Sequence, residues 1–176
     1  MAHVRIILAA ALLGAPQVAA AAEPACLTPR EFTALSTYAL PSVIGGTSKA
    51  CAAQLPGDAF LRRNGADLAA RYALGKPQAW PEAKGAFLKM SAERDPGAAS
   101  LFAAMPDDAL QQIADAAFVG IVAGQVKPGS CATLDRIVAL LSPLPPENTA
   151  ELIALAAGLG AKTGEARVGK FALCKA

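Results

Sequence analysis

Four cysteines, Cys26, Cys51, Cys131 and Cys174, are spread along a chain of 176 residues, and in an oxidising compartment an even count reads as two disulfides. That expectation constrains the fold more than any other feature. The compartment is read from the N-terminus. Arg5, the apolar run from Ile6 to Leu13 and the small residues Ala20-Ala21-Ala22 before Glu23 have the layout of a secretory signal peptide. The boundaries that follow are 1–22 as a cleaved signal peptide and 23–176 as a single all-helical domain. All four cysteines then lie in the exported part, and the mature protein is expected to be periplasmic or secreted. Glu23-Pro24-Ala25 before Cys26 lacks the Leu-small-small pattern of a lipoprotein signal, which favours a soluble form over a tethered one. Of the three pairings, Cys26 with Cys51 and Cys131 with Cys174 are favoured here. Each would join the ends of a local helical excursion and contribute about 3 to 4 kcal/mol in the chain-entropy model.

The apolar pattern has helical period almost throughout, and no stretch alternates convincingly as a strand. The hydrophobic fraction is 54%, but much of it is alanine, which favours helix while burying little. The expected fold class is all-α: a compact bundle of about six to seven short helices, built from helical hairpins and stapled by two disulfides.

Thr28, Pro29 and Glu31 form a capping box that starts a helix reaching about Leu40. Pro41 is expected to begin a second helix that returns Cys51 towards Cys26. Asp58 is expected to cap a helix with the stripe Leu61, Gly65, Leu68 and Tyr72. The next runs from about Gln78 to Glu93 and stops at Asp95-Pro96-Gly97, before a short turn at Leu101 and Phe102.

A further helix opens at Pro106-Asp107-Asp108 and should bury Leu110, Ile113, Ala114, Ala117, Phe118 and Ile121. Two more should bury Leu134, Ile137, Val138 and Leu141, then Leu152, Leu155, Ala156 and Leu159. The segment from Lys162 onward reads as a strap over this last hairpin, held by Cys174. The run from Ala116 to Val126 is about half of what a membrane span needs, so no transmembrane segment is expected after signal cleavage.

The residues exclude more chemistry than they indicate. The one histidine, His3, falls in the signal peptide. That removes histidine general bases, catalytic triads and histidine-held metals. The carboxylate pairs Asp107 with Asp108 and Glu147 with Glu151 sit in first turns of helices, where the dipole favours acids without any catalytic role. The spacing of Gly120 and Gly124 suits close helix packing in a core. No cofactor and no metal are implied, and an enzyme is not the expected class. The formal charge of +2 falls to about +1 once Arg5 is removed, which gives no general attraction to nucleic acid.

Two residue sets stand out as binding candidates. The first is basic and aromatic: Arg62, Arg63, Arg71, Tyr72, Lys76, Trp80 and Lys84, with Lys89 nearby. It suits an acidic partner protein, an anionic cell-envelope polymer or a lipid headgroup. Its bland alternative has Tyr72 and Trp80 packed inward while the lysines cover the rim, the basic middle and the acidic stretch Glu93 to Asp115 being two solvated faces that partly attract each other. The second set is apolar: Phe87, Met90, Phe102, Met105 and Phe118, which would line an interhelical pocket. The leading expectation is a non-enzymatic binding or interaction module of the cell envelope, and the alternative is a carrier of a small apolar ligand or lipid.

Overall fold

The computed structural model describes residues 26–161, 167–168 and 171–174; the signal-peptide reading of 1–22 lies outside them. Among the described residues the chain forms seven α-helices. They are α1 (Pro29–Cys51), α2 (Phe60–Ala73), α3 (Lys76–Arg94), α4 (Pro96–Ala103), α5 (Asp107–Gln125), α6 (Cys131–Leu141) and α7 (Pro146–Ala161). Two short strands, β1 (Arg167–Val168) and β2 (Phe171–Ala172), pair antiparallel after them. The protein is an all-α bundle clamped by two disulfides. None of the described helices is long and apolar enough to cross a membrane by itself.

The bundle is organised around α1, against which α2, α3, α5 and α7 all pack. Thr37, Tyr38, Ala39 and Leu40 are consecutive and all buried. Four successive positions cover the whole circumference of a helix, so α1 is enclosed on every side around the turn that leads into Pro41. Two glycine positions allow its neighbours in. A Cβ on Gly46 would meet Val122 of α5 at 3.2 Å, and one on Gly65 of α2 would lie 2.5 Å from the Ser48 hydroxyl.

The enclosure of α1 accounts for two departures from the sequence reading. First, Pro41 does not end the helix: α1 runs through it to Cys51. Pro41 cannot donate to the Thr37 carbonyl, a loss of about 3 kcal/mol, and burial on all sides offsets it. Second, an unbroken helix of 23 residues carries Cys51 roughly 33 Å from the end where Cys26 lies, so those two cannot pair. The disulfides are Cys26–Cys174 and Cys51–Cys131, with Cα–Cα distances of 5.0 and 5.5 Å. They replace the expected local pairings Cys26–Cys51 and Cys131–Cys174, and they are nested.

The capping box at the start of α1 is as read. Glu31 N donates to Thr28 Oγ1 at 3.2 Å, and Thr28 N donates to the Glu31 carboxylate at 2.8 Å. The cap of α2 is not. Asp58 makes no cap, the N-cap position being Ala59 with no side-chain bond. The Asp135 carboxylate, reaching across from α6, accepts from Phe60 N at 3.3 Å and Leu61 N at 2.7 Å. The segment expected as a turn at Leu101 and Phe102 is the helix α4, capped by Asp95, which accepts from Gly97 N and Ala98 N.

The rotation of the last helices also differs. In α5 the expected stripe holds for Leu110, Ala114 and Phe118, which are buried, and for Ile113 and Ala117, which pack on the core; Val122 joins the buried row and Ile121 is exposed. Ile137 of α6 is exposed as well. In α7 the expected large residues Leu152 and Leu155 face outward, while Thr149 and Ala150 are buried and Ala154 and Ala157 pack on the core. The cause is a polar anchor. The Tyr72 hydroxyl lies 2.9 Å from Thr149 Oγ1 and donates towards the Leu141 and Leu144 carbonyls at 3.2 and 3.0 Å. With Thr149 held inward, the small face of α7 meets α1. The Leu159 side chain lies outside the described residues.

Of the expected strap, residues 162–166, 169–170 and 175–176 lie outside the described residues. Among the described ones, β1 contacts α7, and the end of the strap lies along the entry to α1: Leu27 N donates to Ala172 O at 3.0 Å and Cys174 N to Leu27 O at 2.9 Å.

Candidate functional site

The apolar set behaves as a unit. Phe87 and Met90 come from α3, Phe102 from α4 and Phe118 from α5, and all four line one cleft of about 220 Å³. Its walls are completed by Ala98, Ile113, Ala117 and Ile121, with Ser91, Arg94 and Asp95 as the polar groups. The Phe87 ring stands 5.8 Å from Phe102 and 6.5 Å from Phe118, centroid to centroid. Each residue arrives for a local reason. Phe87 and Met90 are three apart on one face of α3. The Asp95 cap turns the chain sharply into α4 and folds Phe102 back over Phe87. Met105 packs against the same core without lining the cleft.

The basic and aromatic set is distributed over internal contacts. Tyr72 is buried in the anchor described above, and the Trp80 ring is buried 4.9 Å from the Tyr38 ring. Arg62 donates to the Ala52 and Leu55 carbonyls, closing the loop between α1 and α2. Arg71 donates to the Ser142 carbonyl and stands over the Tyr72 ring. Arg63 is exposed on α2. Lys76 binds both Asp115 oxygens, at 2.7 and 2.6 Å, and lies 4.3 Å from the centre of the Tyr38 ring. Lys84 pairs with Asp107 at 2.6 Å, and Lys89 with Glu31 at 2.6 Å. The basic middle and the acidic stretch thus meet directly, α3 to α5.

These contacts set the ionisation of three groups. Burial pushes the Tyr38 phenol well above its ordinary range, and the Asp115 charge adds to the effect. For Glu31, burial acts upward but is outweighed by the Lys89 and Thr28 hydrogen bonds, and the carboxyl is held below its usual value. Asp107 is lowered chiefly by Lys84 and then by the Trp80 indole, whose buried N–H makes no hydrogen bond within normal geometry.

A second concavity, an open groove of about 480 Å³ between α1, α3 and α7, was not foreseen from the sequence. It is lined by Thr33, Thr37, Gln78, Glu82, Glu147 and Glu151, with Arg30 at its edge. Arg30 pairs with Glu82 at 2.6 Å. Glu147 and Glu151 carry the i, i+4 spacing noted in the sequence, but only the packing of α7 on α1 sets them opposite Glu82. Among the described residues no group of histidine, cysteine and carboxylate side chains is arranged to hold a metal ion.

The fold and the site together define a disulfide-clamped helical bundle with an aromatic cleft. Compared with known proteins, the chain matches no family model, no curated protein and no solved structure. The two disulfides indicate an oxidising, extracytoplasmic setting.

Proposed function

We propose that this is a non-catalytic binding protein of the periplasm or extracellular space, exported by its N-terminal signal, which holds a small apolar chain in the cleft between α3, α4 and α5. The observation that carries the reading is the convergence of Phe87, Met90, Phe102 and Phe118 on one concave surface. At about 220 Å³ the cleft falls below the roughly 300–1,000 Å³ of sites for drug-sized molecules. It suits an alkyl chain or a single ring. At about 30 Å³ per methylene, the share of one liquid water, it accommodates about seven. Each methylene buried contributes about 0.8 kcal/mol, and the translational and rotational freedom lost on association offsets part of the sum.

The test is calorimetric titration with straight-chain primary alcohols from pentanol to decanol. Affinity should rise about fourfold per added methylene and level off when the cleft is full. Ala117→Leu, which projects a larger side chain into the cleft, should abolish the gain while leaving the far-UV circular dichroism unchanged. Absence of saturable binding, or equal binding by A117L, overturns the reading. A second reading, docking of an envelope protein or polymer, is favoured by the exposed Ile137 and Leu140 of α6 and Leu152, Ile153 and Leu155 of α7. Wild-type protein that ignores every alcohol would leave that reading standing.

A further inference from the structure

The two disulfides occupy different environments. Cys51 and Cys131 are fully buried where α1 ends and α6 begins, packed with Leu55, Leu61 and Tyr72. Cys26 and Cys174 are both partly exposed, and each lies on extended chain outside any helix or paired strand. Among the described residues, the backbone contacts of residues 172–174 with the body centre on Leu27. Two backbone hydrogen bonds join them to Leu27, and Leu173 packs, half-buried, on the apolar cluster that contains Leu27. So short a ladder is marginal without a covalent tie.

We propose that Cys26–Cys174 is a reducible clasp, opened by a dithiol reductant while Cys51–Cys131 stays closed, and that its opening releases residues 172–174 from the entry to α1. The chemistry is thiol–disulfide exchange. A thiolate of the reductant attacks one sulfur of the bridge, forming a mixed disulfide and expelling the other cysteine as a thiolate, which takes up a proton. The second thiol of the reductant then resolves the mixed disulfide. Both cysteines are left as thiols and the reductant as its own disulfide, with two electrons transferred. Access decides which bridge reacts: an attacking thiolate must reach sulfur in line, and burial denies that at Cys51–Cys131. Among the described residues, the charged groups nearest the clasp are Lys89, whose ammonium lies 3.4 Å from the Cys26 carbonyl, and Glu31, which pairs with it.

Release would remove the acceptor of the Leu27 amide and uncover Leu27, which is otherwise buried. The helices would remain, because the inner bridge and the capping box at Thr28 and Glu31 do not depend on the strap.

The test is a time course of native, oxidised protein with dithiothreitol, quenched by alkylation and read by peptide mass mapping. Cys26 and Cys174 should be alkylated at least tenfold faster than Cys51 and Cys131, with helical circular dichroism retained. Hydrogen exchange on the half-reduced species, and on the double variant Cys26→Ser/Cys174→Ser, should show the Leu27 amide unprotected while amides within α1 and α5 stay protected. Equal alkylation rates, cooperative unfolding on reduction, or a Leu27 amide that stays protected in the half-reduced protein would each overturn the proposal.

Discussion

Replacing Tyr72 by phenylalanine separates two roles that the sequence alone cannot distinguish: a surface residue for a partner and a buried anchor. The ring is 1% exposed and its hydroxyl lies within hydrogen-bond distance of Thr149 Oγ1 and of the Leu141 and Leu144 carbonyls. Two of these partners retain alternatives once the hydroxyl is gone. Thr149 also donates to Pro145 O, and Leu141 O also accepts from Leu144 N. The Leu144 carbonyl, which is half-buried, loses the contact described here. One hydroxyl hydrogen bond contributes about 1 kcal/mol net, and a stranded acceptor adds to the loss. Tyr72→Phe should therefore cost about 1–2 kcal/mol, lowering Tm by roughly 3–8 °C in a domain of this size.

Tyr72→Ala removes the ring as well and should cost about 3–5 kcal/mol. Urea unfolding followed by circular dichroism measures both. A double-mutant cycle with Thr149→Val should give a coupling of at least about 0.5 kcal/mol, as expected for residues in one network. A Tyr72→Phe variant within about 0.3 kcal/mol of wild type, or a coupling near zero, would refute the claim that this hydroxyl fixes the rotation of α7.

Two further predictions concern helix starts. Because the Glu31 carboxyl is lowered in the folded state, its stabilisation is present above the unfolded value of about 4.5 and is lost as pH falls through the folded one. Glu31→Gln should thus be less stable than wild type by about 1 kcal/mol at neutral pH, with the gap narrowing at acid pH, below the unfolded value. A gap of constant size across urea titrations at the two pH values would argue against this assignment. Asp135→Ala should cost about 0.5–2 kcal/mol by removing the acceptor for Phe60 N and Leu61 N. Asp58→Ala should stay within about 0.5 kcal/mol in the same assay, as surface changes do.

Legibility followed the range of the interactions. The cap at Thr28, the stripe of Leu61, Gly65, Leu68 and Tyr72, and the helix opening at Asp107 depend on residues three or four apart, which the sequence displays directly. The aromatic set was legible as a list, and most of it gathers in one cleft. The groove of Glu82, Glu147 and Glu151 was not legible, because no local signal says that the first turn of α7 faces α3. The cap of α2 escaped for the same reason, its acceptor Asp135 being 74 residues from Leu61.

By itself, then, the sequence determined that the chain is helical, where most helices begin, which residues are apolar enough for a core, and that its cysteines form bridges. Tertiary structure decided which cysteines join and which way α6 and α7 are turned. The physical reason lies in α1. Whether Pro41 breaks that helix is not a local question, because the penalty of one missing hydrogen bond is weighed against burial supplied by four other helices. Once α1 stays whole, Cys51 and Cys26 lie at opposite ends of it, and each must find its partner in a distant part of the chain.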